Sequence, residues 1–158
     1  MSAPCILGVD PGLSGALAFY FPISPQRVTA EDMPVVAGHV DCANLAARIR
    51  QMRPDVAIVE RVGAMPRQGV SSTFKFGASY GSVLGVIAAL QIRVVLVTPV
   101  TWKRHFGLDS DKEKSRALAL QTFPEASEFF ARKKDDGRSE AALLALYGST
   151  LDQTGRAV

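Results

Sequence analysis

The sequence predicts an α/β domain in which helices cover both faces of a mixed five-stranded sheet. Three observations carry this. Apolar runs at Cys5–Val9, Gly15–Phe21 and Arg27–Met33 follow one another across short, turn-rich connections, the pattern of a three-strand antiparallel meander. Two later runs, Val56–Val59 and Ile92–Val97, are each preceded by a helical pattern, as parallel strands require. The chain has 158 residues, 47% hydrophobic and 21% charged, which suits one domain with its own core. Residues 1–150 are assigned to that domain and 151–158 to a short tail.

Each element has a local reason. Asp10-Pro-Gly closes the first strand with a turn, and Pro22 and Pro25 separate the second from the third. Asp41 reads as the N-cap of a helix over Cys42–Met52, with Leu45, Ile49 and Met52 on one face, and Pro54 closes it. The fourth strand ends in Glu60. A Gly/Pro/Arg loop covers Arg61–Val70, and Ser71 or Ser72 begins a long helix reaching about Leu90. Pro99 opens a short helix through His105. Asp109 or Ser110 caps another, from Asp111 to about Thr122. Pro124–Arg132 is a loop or short helix, and Glu140–Tyr147 belongs to the last helix, which frays by Gly148.

Composition excludes several classes. Cys5 and Cys42 are too few for a disulfide framework or a four-ligand zinc site. Both read as small core residues, which suits a reducing, cytoplasmic setting. No secretory signal is expected, and the apolar stretch Phe76–Val97 is interrupted too often to span a membrane. The net charge of +3 is a mild excess, but its distribution is uneven: from Arg61 to Leu108 there is no acidic residue. That stretch carries Arg61, Arg67, Lys75, Arg93, Lys103 and Arg104, which predicts a one-sided basic surface.

The acids are the chemical signal. Asp10 and Glu60 each end an apolar strand, at the sheet edge where α/β proteins place ligand chemistry. A carboxylate there loses hydration unless it is paired or binds a metal. Asp136 and Glu140 lie four apart near the start of the last helix, on one face, where like charges repel unless a cation sits between them. Oxygen ligands without His or Cys suit Mg²⁺ or Mn²⁺. Two such ions would activate a water and stabilise the leaving oxygen in phosphodiester hydrolysis. Taken singly, each acid is more readily a turn residue or a cap; taken together, the set favours the metal reading.

Several motifs, in order along nearly the whole chain, resemble the RuvC family of Holliday-junction resolvases in the RNase H-like superfamily. They are Ile6-Leu-Gly-Val-Asp10-Pro-Gly, Val56-Ala-Ile-Val-Glu60, Ser71-Ser-Thr-Phe-Lys-Phe-Gly77-Ala-Ser-Tyr-Gly81, Pro99-Val-Thr-Trp-Lys103, Lys112-Glu-Lys114-Ser-Arg and Asp136-Gly-Arg-Ser-Glu140-Ala-Ala. The resemblance implies an RNase H-like fold and a homodimeric, Mg²⁺-dependent endonuclease, bacterial or phage-encoded. Such an enzyme nicks four-way DNA junctions in symmetric pairs, with two ions per active site. It implies metal ligation by Asp10, Glu60, Glu140 and an acid just upstream. Bacterial members usually carry Asp or His three residues before the last acid, where this chain has Gly137. The ending is closer to the phage-type branch. Asp136 is preferred as the fourth ligand because it shares a face with Glu140, and Asp135 remains the alternative.

Lys103 and Lys112 match family positions that contact DNA. Arg104, Lys114 and Arg116 are further phosphate-binding candidates, as is the Lys133-Lys134 tract before the acids. Solvated helix faces are the plain alternative. Arg61, Met65, Arg67 and Lys75 are also expected at the DNA. The loop after Glu60 corresponds to one that inserts an apolar residue at the junction crossover, with Met65 the candidate wedge; packing over the sheet edge is its other reading. Gly77, Gly81 and Gly85 form a stripe on the long helix, which the resemblance places at the dimer contact beside Phe74. Packing on the chain's own sheet is the alternative there. A branch-migration helicase partner is left open. Three rivals compete. An actin-like ATPase shares Gly8-Val-Asp10-x-Gly12 but needs a second domain. The others are a catalytically silent junction-binding module and a relative acting on other branched DNA or on RNA.

Overall fold

The computed structural model describes residues 4–152 and 154–156. Strands β1 (Ile6–Asp10), β2 (Ala16–Tyr20), β3 (Val28–Asp32), β6 (Val56–Glu60) and β7 (Arg93–Val97) form one sheet in the order β3-β2-β1-β6-β7. Its first three strands are antiparallel, and β1, β6 and β7 run parallel. Strands β4 (Val35–Val36) and β5 (His39–Val40) form a separate small hairpin, which the sequence reading did not assign. Ala37 and Gly38 turn it with positive φ values of 49° and 78°, so Ala-Gly between two valine-containing pairs was the available signal.

Helices α1 (Cys42–Met52) and α2 (Val70–Ala89) cover one face, and α3 (Pro99–His105), α4 (Lys112–Thr122) and α5 (Asp136–Gly148) cover the other. Strand alternation divides the core accordingly. Leu7, Val9, Ala57 and Val59 pack with Leu45, Ile49, Val83 and Ile87. Ile6 and Ile58 pack with Trp102 and the Ala141–Ala145 stretch of α5. Helix α5 lies against the sheet at backbone distance. A Cβ on Gly8 would meet the Ala141 carbonyl oxygen at 2.0 Å, and one on Gly148 would meet Ile58 Cγ1 at 2.5 Å. Two 3-10 turns, Pro124–Phe129 and Lys133–Asp135, link α4 to α5.

Some local expectations shift. Asp111, not Asp109 or Ser110, caps α4: its Oδ1 accepts from the Glu113 amide at 3.0 Å, and Asp109 instead accepts from the Asp111 amide. Helix α2 begins at Val70 with no side-chain cap, so Ser71 and Ser72 lie inside its first turn. Cys42 is exposed at the start of α1, not in the core like Cys5. Part of the tail closes on itself, with the Asp152 amide bonded to the Arg156 carbonyl and Gly155 against Val95. Among the described residues, no helix is long and apolar enough to cross a membrane.

Candidate metal centre

Asp10 and Glu60 end neighbouring parallel strands, paired in register through Val9 and Val59. Period-two alternation points both side chains to the face that Ile6, Gly8 and Ile58 present to α5. There they meet Glu140, one turn into α5. One ligand oxygen from each of the three carboxylates lies within 4.8 Å of the others. The close seating of α5 on Gly8 makes this approach sterically available.

Each carboxylate is differently held. Glu60 and Glu140 are buried, and Asp10 keeps some solvent access. Glu60 Oε2 accepts from Trp102 Nε1 at 2.8 Å inside the core. Glu140 Oε1 has an ionic contact with Lys103 Nζ at 3.3 Å, but no directed hydrogen bond reaches this buried oxygen. Burial pushes the Asp10 carboxyl well above its ordinary range, and Glu140 and Glu60 push it further, against Lys112. Burial also raises Glu60, opposed by the Trp102 hydrogen bond. The cluster therefore combines mutual repulsion, hard oxygen donors and an orphaned buried oxygen. These features fit a divalent cation held by Asp10, Glu60 and Glu140.

The upstream acids separate. Asp136 stands outside the three-carboxylate group, with Oδ2 3.0 Å from Lys112 Nζ. It lines the same cleft as Asp10. Asp135 turns away: it is buried and accepts from the Arg132 amide at 2.8 Å and from the Arg132 guanidinium. Burial acts to raise its pKa, but these bonds outweigh it and hold the carboxyl low. Its role is to tie the 3-10 turn to the start of α5, not to face the other acids. At Gly137, a Cβ would stand 3.4 Å from Asp10 Oδ2 and 3.1 Å from the Ser14 carbonyl oxygen. A side chain there would project at the centre, and this chain leaves that direction empty.

The basic residues also sort by position. A cleft of about 560 Å³ is lined by Asp10, the Pro11–Gly15 turn, Lys75, Phe76, Lys112, Lys134 and Asp136. Arg61, Met65 and Arg67 are exposed on the loop after Glu60, as is Arg104 on α3. Met65 is 69% exposed, which rules out packing over the sheet edge. Lys114 is ion-paired with Asp109 on the surface. Arg116 leaves the phosphate-binding set: its guanidinium holds Glu113 and the carbonyls of Phe130 and Ala131, pinning α4 to the following turn. Gly77, Gly81 and Gly85 face open space, so the stripe does not pack on the chain's own sheet; Phe74 beside it is 76% exposed. Phe76 and Tyr80 are half-buried, Phe76 against Gly12. Sequence reasoning missed the link from Trp102 to Glu60, for which the only signal was a tryptophan next to Lys103.

No protein-family model matches the sequence, and no curated protein matches it. Solved structures do. Thermus thermophilus RuvC in complex with a Holliday-junction substrate matches at TM-score 0.64 and 18% identity, over 97% of this chain and 98% of that one. The yeast mitochondrial Holliday-junction resolvase Ydc2 matches at 0.55 and 16%, over 90% and 78%. The fowlpox virus Holliday-junction resolvase matches at 0.54 and 17%, over 90% and 95%. With its three-strand meander, two parallel strands and helices on both faces, the chain has the RNase H-like fold of the RuvC-type resolvases.

Proposed function

We propose that this protein is a divalent-metal-dependent endonuclease that resolves four-way DNA junctions by paired, symmetric nicks, acting as a homodimer. The observation that carries the reading is the convergence of Asp10, Glu60 and Glu140 within 4.8 Å, in a fold shared with solved resolvases. Asp10, Glu60 and Glu140 would hold Mg²⁺ or Mn²⁺, with Asp136 completing a second site. When bound, such ions supply an activated water and charge neutralisation at the leaving oxygen.

The chain's own residues do the positioning. Trp102 fixes Glu60, and the α5 backbone presents Glu140 over the strand ends. Lys75, Lys112 and Lys134 line the cleft beside Asp10, where phosphodiester oxygens would find cations. Arg61, Met65 and Arg67 extend this surface from the strand that carries Glu60, with Met65 free to enter a base step. Arg104 and Lys114 are assigned to the flanks, and Lys103 stands beside the centre, 3.3 Å from Glu140 Oε1. A two-fold dimer through the exposed Gly77–Gly81–Gly85 stripe and Phe74 would present two centres to two equivalent strands of a branch.

The test is cleavage of a labelled four-way DNA junction beside linear duplex, other branched DNA and an RNA–DNA hybrid, with Mg²⁺ and with EDTA. Paired, metal-dependent nicks confined to the junction are expected. Preferential cutting of another substrate would reassign the nuclease. Tight junction binding without any cutting would favour the silent binding module.

A further inference from the structure

We propose that Trp102 biases which cation the carboxylate centre accepts, by engaging one oxygen of Glu60 and so disfavouring a bidentate grip on the ion. The inference rests on the reading of Asp10, Glu60 and Glu140 as a cation centre, and it assigns Trp102 as a positioning residue.

An indole N–H donates one hydrogen bond and accepts none. Trp102 is wholly buried, and its Nε1 is 2.8 Å from Glu60 Oε2. A bidentate grip by Glu60 would ask Oε2 to serve the cation and the indole N–H together, which weakens it towards both, or to release the bond and strand a buried donor, which is unfavourable. Rotation of the indole is no easy escape, because the ring is fixed on several sides. Val97, which ends β7, pairs directly with Glu60. Helix α3 starts two residues later, with Thr98 as N-cap and Pro99 in its first turn. One turn on, Trp102 arrives over Glu60, with Phe106 packed edge-on at 6.5 Å. The next residue, Lys103, reaches Glu140 and sits 5.4 Å from the Trp102 ring centroid. One short helix thus touches two of the three carboxylates.

The consequence is selectivity. Mg²⁺ and Mn²⁺ suit compact octahedral sites with monodentate carboxylates and retained waters. Ca²⁺ takes more oxygens and readily accepts a bidentate carboxylate. A Glu60 whose bidentate mode is disfavoured selects for the smaller ions.

The experiment follows Mn²⁺ binding by the free-ion electron paramagnetic resonance signal, with Mg²⁺ and Ca²⁺ as competitors, in the wild type and Trp102→Phe. The Ca²⁺-to-Mg²⁺ affinity ratio is expected to rise roughly tenfold in the variant, the scale of one hydrogen bond to a charged group. A purely structural loss would weaken both ions alike and leave the ratio unchanged, which overturns the inference. Trp102 is the only tryptophan, so wild-type emission is expected to change with the same Mg²⁺ midpoint as the competition curve. An emission blind to bound metal also counts against the assignment. If Trp102→Phe does not fold by circular dichroism, β-(3-benzothienyl)alanine at position 102 keeps the bicyclic shape and removes only the donor. Absence of any Mn²⁺ binding by the folded wild type would instead reject the metal centre itself.

Discussion

Asp10 shows how a single residue links folding to chemistry. Its carboxyl is pushed up by burial and by Glu140 and Glu60, so the folded protein binds its proton more tightly than the unfolded chain. The sign follows. The stability this proton supplies is complete below the ordinary value of 3.8 and declines as pH rises towards the elevated folded value. In EDTA, the melting temperature of wild type relative to Asp10→Asn should therefore fall from pH 4 upward. Asp10→Asn, which removes one of the repelling charges, should melt a few degrees higher than wild type at pH 8 in EDTA and converge with it near pH 4. Mg²⁺ should raise the melting temperature of the wild type and leave Asp10→Asn nearly unchanged, as read by calorimetry. The same variant should cut at least about a thousandfold more slowly while still retarding a junction in a gel, since the negative charge and one of the two carboxylate oxygens are lost. A variant that also loses junction binding would make Asp10 a structural residue.

At the scale of elements, the site depends on how closely α5 lies on β1. Gly8→Ala places a methyl carbon against the Ala141 carbonyl, where only backbone movement can relieve the clash. The expected cost is on the order of 3 kcal/mol, measured by urea unfolding, with loss of Mn²⁺ affinity in the protein that remains folded. Neutral stability would mean that α5 has more freedom than its packing shows. Between α4 and α5 an ion pair adds to the apolar packing. Lys112 is held by Asp136, which raises its pKa, yet its side chain is 69% exposed and faces the cleft. Lys112→Ala should weaken junction binding and flatten its salt dependence by about one phosphate contact. An unchanged slope in a salt titration would leave Lys112 only as the counter-ion of Asp136.

For the whole molecule, the open side of α2 is the unpartnered feature. Three glycines with nothing within 4 Å of a built Cβ, flanked by exposed Phe74 and Val70, form a shallow apolar face without steric obstruction. Gly81→Leu adds bulk there without touching the chain's own core, so it should fold normally and reduce sedimentation mass from dimer to monomer. Junction nicks by that variant should become unpaired. A dimer that persists would move the interface elsewhere on the surface.

How much was legible in the chain depends on the range of the interaction. Apolar runs bounded by turn signals placed all five sheet strands, and helical patterning placed five helices, near their observed bounds, because burial is written locally. The strand-end positions of Asp10 and Glu60 and the helical spacing of Asp136 and Glu140 were local too. The exact cap of α4 was not, since Asp109, Ser110 and Asp111 offer the same chemistry within one turn and only backbone geometry separates them. Helical spacing favoured Asp136 over Asp135 but did not show what holds each: Arg132 takes Asp135 and Lys112 takes Asp136. The amino-acid order alone determined the fold class and the four acids of interest. Tertiary packing decided that three carboxylates meet, that Trp102 holds one of them, and that the glycine stripe faces outward. Those outcomes arise from contacts such as Trp102 to Glu60, 42 residues apart, whose partners no local pattern encodes.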